Sequence, residues 1–211
     1  MEAEDFLTLM AEERASAILR TSDGELARGA MNAAVEAGFR IIEFTLSIPN
    51  AFELIREFAE RDDLVVGAGT VLTTEEAEQA VEAGAQYLVS PVVDPVVIEK
   101  AAELGVAAMP GCATPSEMLM AHRAGAQLQK LFPAVATGPA WVQQTLGPMP
   151  FLKIVPTSGV TAENAADYLK AGAFAVGFVN SLFEPADVLS GNFEAIGDRA
   201  RKALDAAGQG S

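Results

Sequence analysis

Four charged residues interrupt apolar runs. They are Arg20 in Ala17-Ile18-Leu19-Arg20, Glu43 in Ile41-Ile42-Glu43-Phe44, Lys130 in Leu128-Gln129-Lys130-Leu131-Phe132-Pro133, and Lys153 in Phe151-Leu152-Lys153-Ile154-Val155-Pro156. Desolvating a charge is costly, so a charge inside an apolar run marks either an ion pair or a site of chemistry. Burial disfavours an ammonium and lowers its pKa, leaving a neutral amine. Such an amine can attack a ketone and form a Schiff base. Lys130 and Lys153 each lie three residues before a proline, and local pattern does not separate them. The structural alternative for either is a stem lining the core with its amine paired to Glu43. Glu43 is that partner or a general acid–base, moving protons through water at a lysine-bound carbon. Arg20 suits an ion pair with Glu43, or a substrate carboxylate or phosphate that matches its fork of donors. Lys100, Lys170 and Lys202 stand in polar helical contexts and read as solvated.

The remaining chemistry-bearing residues are few. One cysteine, Cys112, excludes an intrachain disulfide framework and suits a reducing cytoplasm. One histidine, His122, excludes zinc sites built from several histidines or cysteines, and any serine–histidine triad not centred on it. Its position in Met120-Ala121-His122-Arg123 reads as helical surface, and Cys112 as space-filling. Phe132 and Trp141 are candidates to line a site, with core packing as the competing role. The composition offers no histidine cluster for a metal. Acidic residues number 29 against 14 basic, a net charge of −15, so the surface repels nucleic-acid backbones and anionic membranes. The start Met1-Glu2-Ala3-Glu4-Asp5 is acidic where a secretory signal is basic, and no apolar run spans a membrane.

Positioning these residues requires a repeated unit. Ala37-Gly38-Phe39, Ala83-Gly84-Ala85, Leu104-Gly105-Val106, Ala124-Gly125-Ala126 and Ala171-Gly172-Ala173 each follow a helical pattern and precede a short apolar run. Glycine after a helix closes its last turn, and the run after it reads as a strand buried on both faces. Eight strands are predicted, starting near residues 16, 40, 64, 86, 106, 128, 151 and 174. Helices are predicted to open at Thr73, Thr114 and Thr161, which can cap them. Strict alternation implies a parallel sheet, and eight units imply an α/β (β/α)8 TIM barrel. A doubly wound open sheet competes, but no Gly-x-Gly-x-x-Gly opens a helix after the first strand. One domain over residues 1–211 is expected, with an N-terminal helix over 1–14 closing the barrel floor and a frayed tail over 207–211. The chemistry then belongs at the strand C-terminal ends. There, Gly67, Gly69, Gly159 and Gly177 would let backbone N–H groups approach an anion, or would simply make tight turns.

Seven stretches in order carry a resemblance to a known family. They are Ala17-Ile18-Leu19-Arg20; Ile42-Glu43-Phe44-Thr45-Leu46; Val66-Gly67-Ala68-Gly69-Thr70-Val71-Leu72; Leu88-Val89-Ser90-Pro91; Met109 to Glu117; Leu128 to Ala134; and Val155-Pro156-Thr157-Ser158-Gly159-Val160. The chain resembles the 2-keto-3-deoxy-6-phosphogluconate aldolases, a group that includes the phosphogalactonate and 4-hydroxy-2-oxoglutarate aldolases. The resemblance implies a class I Schiff-base aldolase, a homotrimer, acting without a metal on a 2-keto-3-deoxy sugar acid and releasing pyruvate. It selects Lys130 over Lys153 as the nucleophile and assigns Glu43 the acid–base role. It implies substrate contacts at Arg20, Gly69, Thr70, Pro91, Phe132, Thr157, Ser158, Gly159, Asn180 and Ser181. Three departures stand out. No arginine occurs in Thr45-Leu46-Ser47-Ile48-Pro49-Asn50, Ser158 replaces a glycine, and the phosphate cradle reads Gly177-Phe178-Val179-Asn180-Ser181. Two readings from other classes remain open: a phosphate-binding barrel isomerase, with Glu43 as base, and a catalytically silent binding barrel.

Overall fold

The computed structural model describes residues 2–134 and 138–208. Among them, eight strands alternate with helices. The strands are β1 (Ala15–Leu19), β2 (Ile41–Thr45), β3 (Val65–Gly69), β4 (Tyr87–Ser90), β5 (Ala107–Cys112), β6 (Gln129–Leu131), β7 (Ile154–Pro156) and β8 (Val176–Phe178). The helices are α1 (Ala3–Glu13), α2 (Gly24–Glu36), α3 (Ala51–Ala59), α4 (Thr74–Glu82), α5 (Pro95–Glu103), α6 (Pro115–Arg123), α7 (Pro139–Leu146), α8 (Ala165–Lys170), α9 (Pro185–Ser190) and α10 (Phe193–Ala207). All strand pairs are parallel, in the order β7-β6-β5-β4-β3-β2-β1-β8. A parallel bridge between Thr157 and Gly177 joins the two ends. The sheet is therefore a (β/α)8 barrel, and the open-sheet alternative is excluded.

The period-two alternation of each strand sorts its side chains into two cores. Outward residues such as Ile42, Phe44, Val66, Ala68 and Leu88 pack under the helices. Inward residues Ile41, Val65, Tyr87, Met109, Leu128, Val155 and Ala175 fill the barrel together with Phe6 and Met10 of α1. That helix closes the floor, with Phe6 stacked on Tyr87 at 4.4 Å between ring centroids. The Tyr87 hydroxyl donates to Ile42 O at 2.9 Å. Gly67 lies against this ring, and a methyl there would overlap it.

Helix ends follow the predicted chemistry at most places. Thr73 with Glu76, and Thr114 with Glu117, form reciprocal capping boxes. The glycines of the recurring phrase take positive φ, from 75° at Gly105 to 121° at Gly38. Three boundaries differ from expectation. The helix predicted at Thr161 starts at Ala165, because Asn164 first ties a turn, accepting from Thr161 N and donating to Gly159 O. The strand predicted near 151 starts at Ile154, since Leu152 N–H bonds Met149 O in a turn that leaves Phe151 exposed. The last strand starts at Val176. At the tail, Ala207 is buried at the end of α10 and Gly208 caps it, while 209–211 lie outside the described residues. No helix among the described residues is long and apolar enough to cross a membrane.

Candidate active site

Glu43 and Lys130 stand mid-strand on β2 and β6, and the inward parity of each strand aims both into the barrel. Glu43 is 0% exposed and Lys130 8%, with Nζ 4.0 Å from Glu43 Oε1. Neither Glu43 oxygen has a hydrogen-bond partner among the described residues. Burial pushes the Glu43 carboxyl above its ordinary range, against the pull of Lys130 and then of Arg20. It pushes the Lys130 ammonium down, against the pull of Glu43, and Arg20 adds to the lowering. Each shift moves toward the neutral form, which is the form of lysine that can act as a nucleophile. Gly69 provides the room for this pair, because a methyl at that position would overlap Glu43 Oε1. The half-buried Phe132 ring stands beside the amine, its centroid 5.3 Å from Nζ.

The structure separates the two lysines that local pattern left equivalent. Lys153 lies outside β7, half-buried, two residues before Val155, which is the register partner of Lys130. Its backbone N–H is held by the Gln129 side chain at 2.9 Å. Lys153 therefore belongs to the entrance of its strand, toward the barrel floor, and not to an apolar strand interior. Of the two readings of Arg20, the ion pair with Glu43 is not formed. It follows the end of β1, is exposed, and donates from Nη2 to Thr70 Oγ1 at 3.2 Å rather than pairing with Glu43. Thr70 is half-buried and left-handed at φ 62°, a strained conformation for a β-branched residue. Its hydroxyl is held at the mouth by Arg20, directly above the strand that carries Gly69.

The loops after β7 and β8 form one connected edge. Thr157 is fully buried, its hydroxyl directed at Leu131 O at 3.5 Å and its methyl packed beside Gly177. Ser158 and Gly159 are half-buried with φ of 57° and 117°. Asn180 is exposed, and Ser181 donates its hydroxyl to Val160 O at 2.6 Å. Half-buried Pro91 stands after β4, and a methyl at Gly111 would overlap its carbonyl. Gly67, Gly69 and Gly177 thus face the interior and make space for Tyr87, Glu43 and Thr157. That room follows from the inward half of the strand period, which puts their missing side chains under others.

Other candidates fall away from the site. Cys112 is buried, its thiol pushed up to about 12 by burial and then by Glu117, so it is inert as a nucleophile. His122 lies on α6 beside the Phe151 ring, 4.8 Å between centroids, and Trp141 packs against the outer core. The sequence placed Thr45 in the window from Glu43 to Ser47 at the end of its strand but gave it no role; it is buried two residues beyond Glu43 on the same strand face, with its hydroxyl 2.9 Å from Ser47 Oγ. The period of two from Glu43 was the signal that could have found it. No group of three or more His, Cys, Asp or Glu that could hold a metal ion occurs among the described residues.

Comparison with known proteins gives a consistent set of matches. Residues 8–198 match the family described as "Aldolase: KDPG and KHG aldolase". A Rhizobium meliloti (strain 1021) protein named "Probable 2-dehydro-3-deoxy-6-phosphogalactonate aldolase" is 40% identical over 172 residues, covering 80% of this chain and 81% of its own. The "KHG/KDPG aldolase" of Escherichia coli (strain K12) is 35% identical over 83% of each chain. Among solved structures, the 2-keto-3-deoxy-6-phosphogluconate aldolase of Zymomonas mobilis ZM4 with 3-phosphoglycerate superposes with a TM-score of 0.82 at 30% identity, covering 95% of both chains.

Proposed function

The chain belongs to the KDPG and KHG aldolase family and is a carbon–carbon lyase, and from that premise we propose that it cleaves 2-keto-3-deoxy-6-phosphogluconate through a lysine Schiff base. The observation that carries this is the buried Lys130–Glu43 pair, 4.0 Å apart, with neither carboxyl oxygen hydrogen-bonded among the described residues. Neutral Lys130 Nζ attacks the C2 ketone. Glu43, through a water, supplies the proton with which the carbinolamine loses its hydroxyl, leaving the iminium. That cation is an electron sink, so the C3–C4 bond breaks as the C4 hydroxyl passes its proton, through water, to the Glu43 carboxylate left by that step. The aldehyde product, glyceraldehyde 3-phosphate, departs. Protonation of the enamine at C3 and hydrolysis of the imine free pyruvate and return Lys130 to its neutral form.

The site residues divide between the two ends of the substrate. Thr70, with the Gly69 backbone and Arg20, suits the pyruvate carboxylate, and Phe132 and Pro91 wall the reacting carbons. The loop Thr157-Ser158-Gly159 with Asn180 and Ser181 suits the distal phosphate. Because the Ser181 hydroxyl already donates to Val160 O, phosphate recognition falls to the Ser158 hydroxyl, the Asn180 amide and backbone N–H groups. The chemistry uses the lysine itself and calls on no metal. Cytoplasmic location and a homotrimer complete the reading.

A second reading, cleavage of 2-keto-3-deoxy-6-phosphogalactonate, is favoured by the name of the 40% identical relative. Pyruvate release measured on both phosphorylated acids, their unphosphorylated forms and 4-hydroxy-2-oxoglutarate decides among them. Fastest release from the phosphogluconate acid, lost in Lys130→Ala, supports the proposal. Binding of these acids without pyruvate release points instead to a silent barrel.

A further inference from the structure

The turn after β8 is held from outside the barrel. Leu182 N and Phe183 N both bond Val179 O, and Leu182 and Phe183 are buried in the outer core. The tip of this turn is exposed Asn180. Its departing carbonyl, Leu182 O, accepts from Arg199 Nε of α10 at 2.9 Å. Arg199 Nη1 also donates to Asp187 Oδ2 of α9 at 2.7 Å, and Asp187 Oδ1 accepts from Asn192 at 2.8 Å. The guanidinium is thus fixed at two of its nitrogens. The third, Nη2, is buried without a hydrogen-bond partner among the described residues. A buried donor left unpaired is costly, and a leucine or methionine at 199 would escape that cost. An arginine here is a poor choice for packing alone, and what it gains is a hold on the turn.

We propose that Arg199 is a positioning residue for substrate recognition. It holds the β8–α9 turn from behind, so that Asn180 and the Ser181–Val160 link present one rigid edge to the distal end of the substrate. The Ser181 hydroxyl ties this turn to the loop after β7, so both loops move together if the guanidinium lets go. Arg199 touches no reacting atom; its hydrogen bonds go to Leu182 and Asp187, whereas the pyruvate end of the site is built from Lys130 on β6, Glu43 on β2 and Thr70 just after β3. The proposal rests on the reading that these loops meet the distal phosphate.

The test compares full-length substrate with pyruvate alone, which has no distal end. Arg199→Met is expected to raise KM for the phosphorylated six-carbon acid about ten-fold, the scale of one lost charge-assisted hydrogen bond. kcat and exchange of pyruvate methyl protons should stay unchanged. Arg199→Lys should recover part of the KM, and amide exchange across 180–183 should quicken in Arg199→Met. Asn180→Ala, which probes the loop directly, should also raise KM. Parallel loss of cleavage and pyruvate exchange in Arg199→Met would make the residue a structural staple and overturn the proposal. A KM that responds to Asn180→Ala but not to Arg199→Met overturns it while leaving the loop reading intact. If neither variant moves KM, the loop reading fails and the proposal with it. Should Arg199→Met not fold, Asp187→Asn removes one anchor of the guanidinium at constant shape and carries the same comparison.

Discussion

An amine buried beside a carboxylate in an apolar barrel is poised between two charge states, and that poise is open to measurement at Lys130. Borohydride reduction in the presence of pyruvate is expected to leave a three-carbon adduct on the peptide containing Lys130. Adduct on Lys153 would end the assignment. Because burial lowers the Lys130 pKa, the neutral amine persists below the usual lysine range, and imine formation should fall only as pH drops through that lowered value. Glu43 opposes the lowering, since a carboxylate favours the ammonium. Glu43→Gln should therefore move the acid limb of imine formation to lower pH. The same change should slow cleavage and methyl-proton exchange by roughly 10²–10⁴, the range of general acid–base catalysis. An unmoved acid limb and unchanged exchange would make Glu43 a structural partner only. Both charges were legible as interruptions of apolar runs. Their separation across the barrel was not, because residues 87 positions apart meet only through closure of the sheet.

At the scale of single elements, β3 carries two glycines with different duties. Gly69→Ala would drive a methyl into Glu43 Oε1, and Gly67→Ala into the Tyr87 ring. The first should keep the fold and cut activity by about 10²-fold, the effect of a catalytic group displaced by an ångström or so. The second should lower stability by about 1–3 kcal/mol or more through overpacking. Denaturation midpoints and kcat measured on both variants separate the two effects. If Gly69→Ala is fully active, Glu43 has freedom the structure does not suggest. The floor helix α1 offers a companion case. Phe6 is fully buried against Tyr87, so Phe6→Ala should cost about 3–5 kcal/mol. An unchanged denaturation midpoint would mean that α1 does not plug the barrel. Alternating runs and glycine-terminated helices made these elements legible. The roles of Gly67 and Gly69 were not, since the atoms that fill their missing side chains come from other strands.

Over the whole molecule, the substrate must bridge from the strand interior to the loops after β7 and β8. Ser158 and Asn180 alter the phosphate edge without closing it, so kcat/KM should favour the phosphorylated acid by about ten-fold or more over its unphosphorylated form. A ratio near one would move the reading to 4-hydroxy-2-oxoglutarate or another unphosphorylated acid. The amino-acid sequence by itself determined the alternation of eight strands and their helices, the floor helix, the capping boxes, and the short set of charges that could react. These follow from periodicity, end-capping and desolvation cost, all of which act between chain neighbours. Tertiary structure decided which lysine faces the carboxylate, that Arg20 holds Thr70 rather than Glu43, that the strand glycines make room for side chains, and that Arg199 reaches back to the β8 turn. Each depends on closing the sheet between β7 and β8 and wrapping α10 behind it, which brings together residues that no local pattern relates.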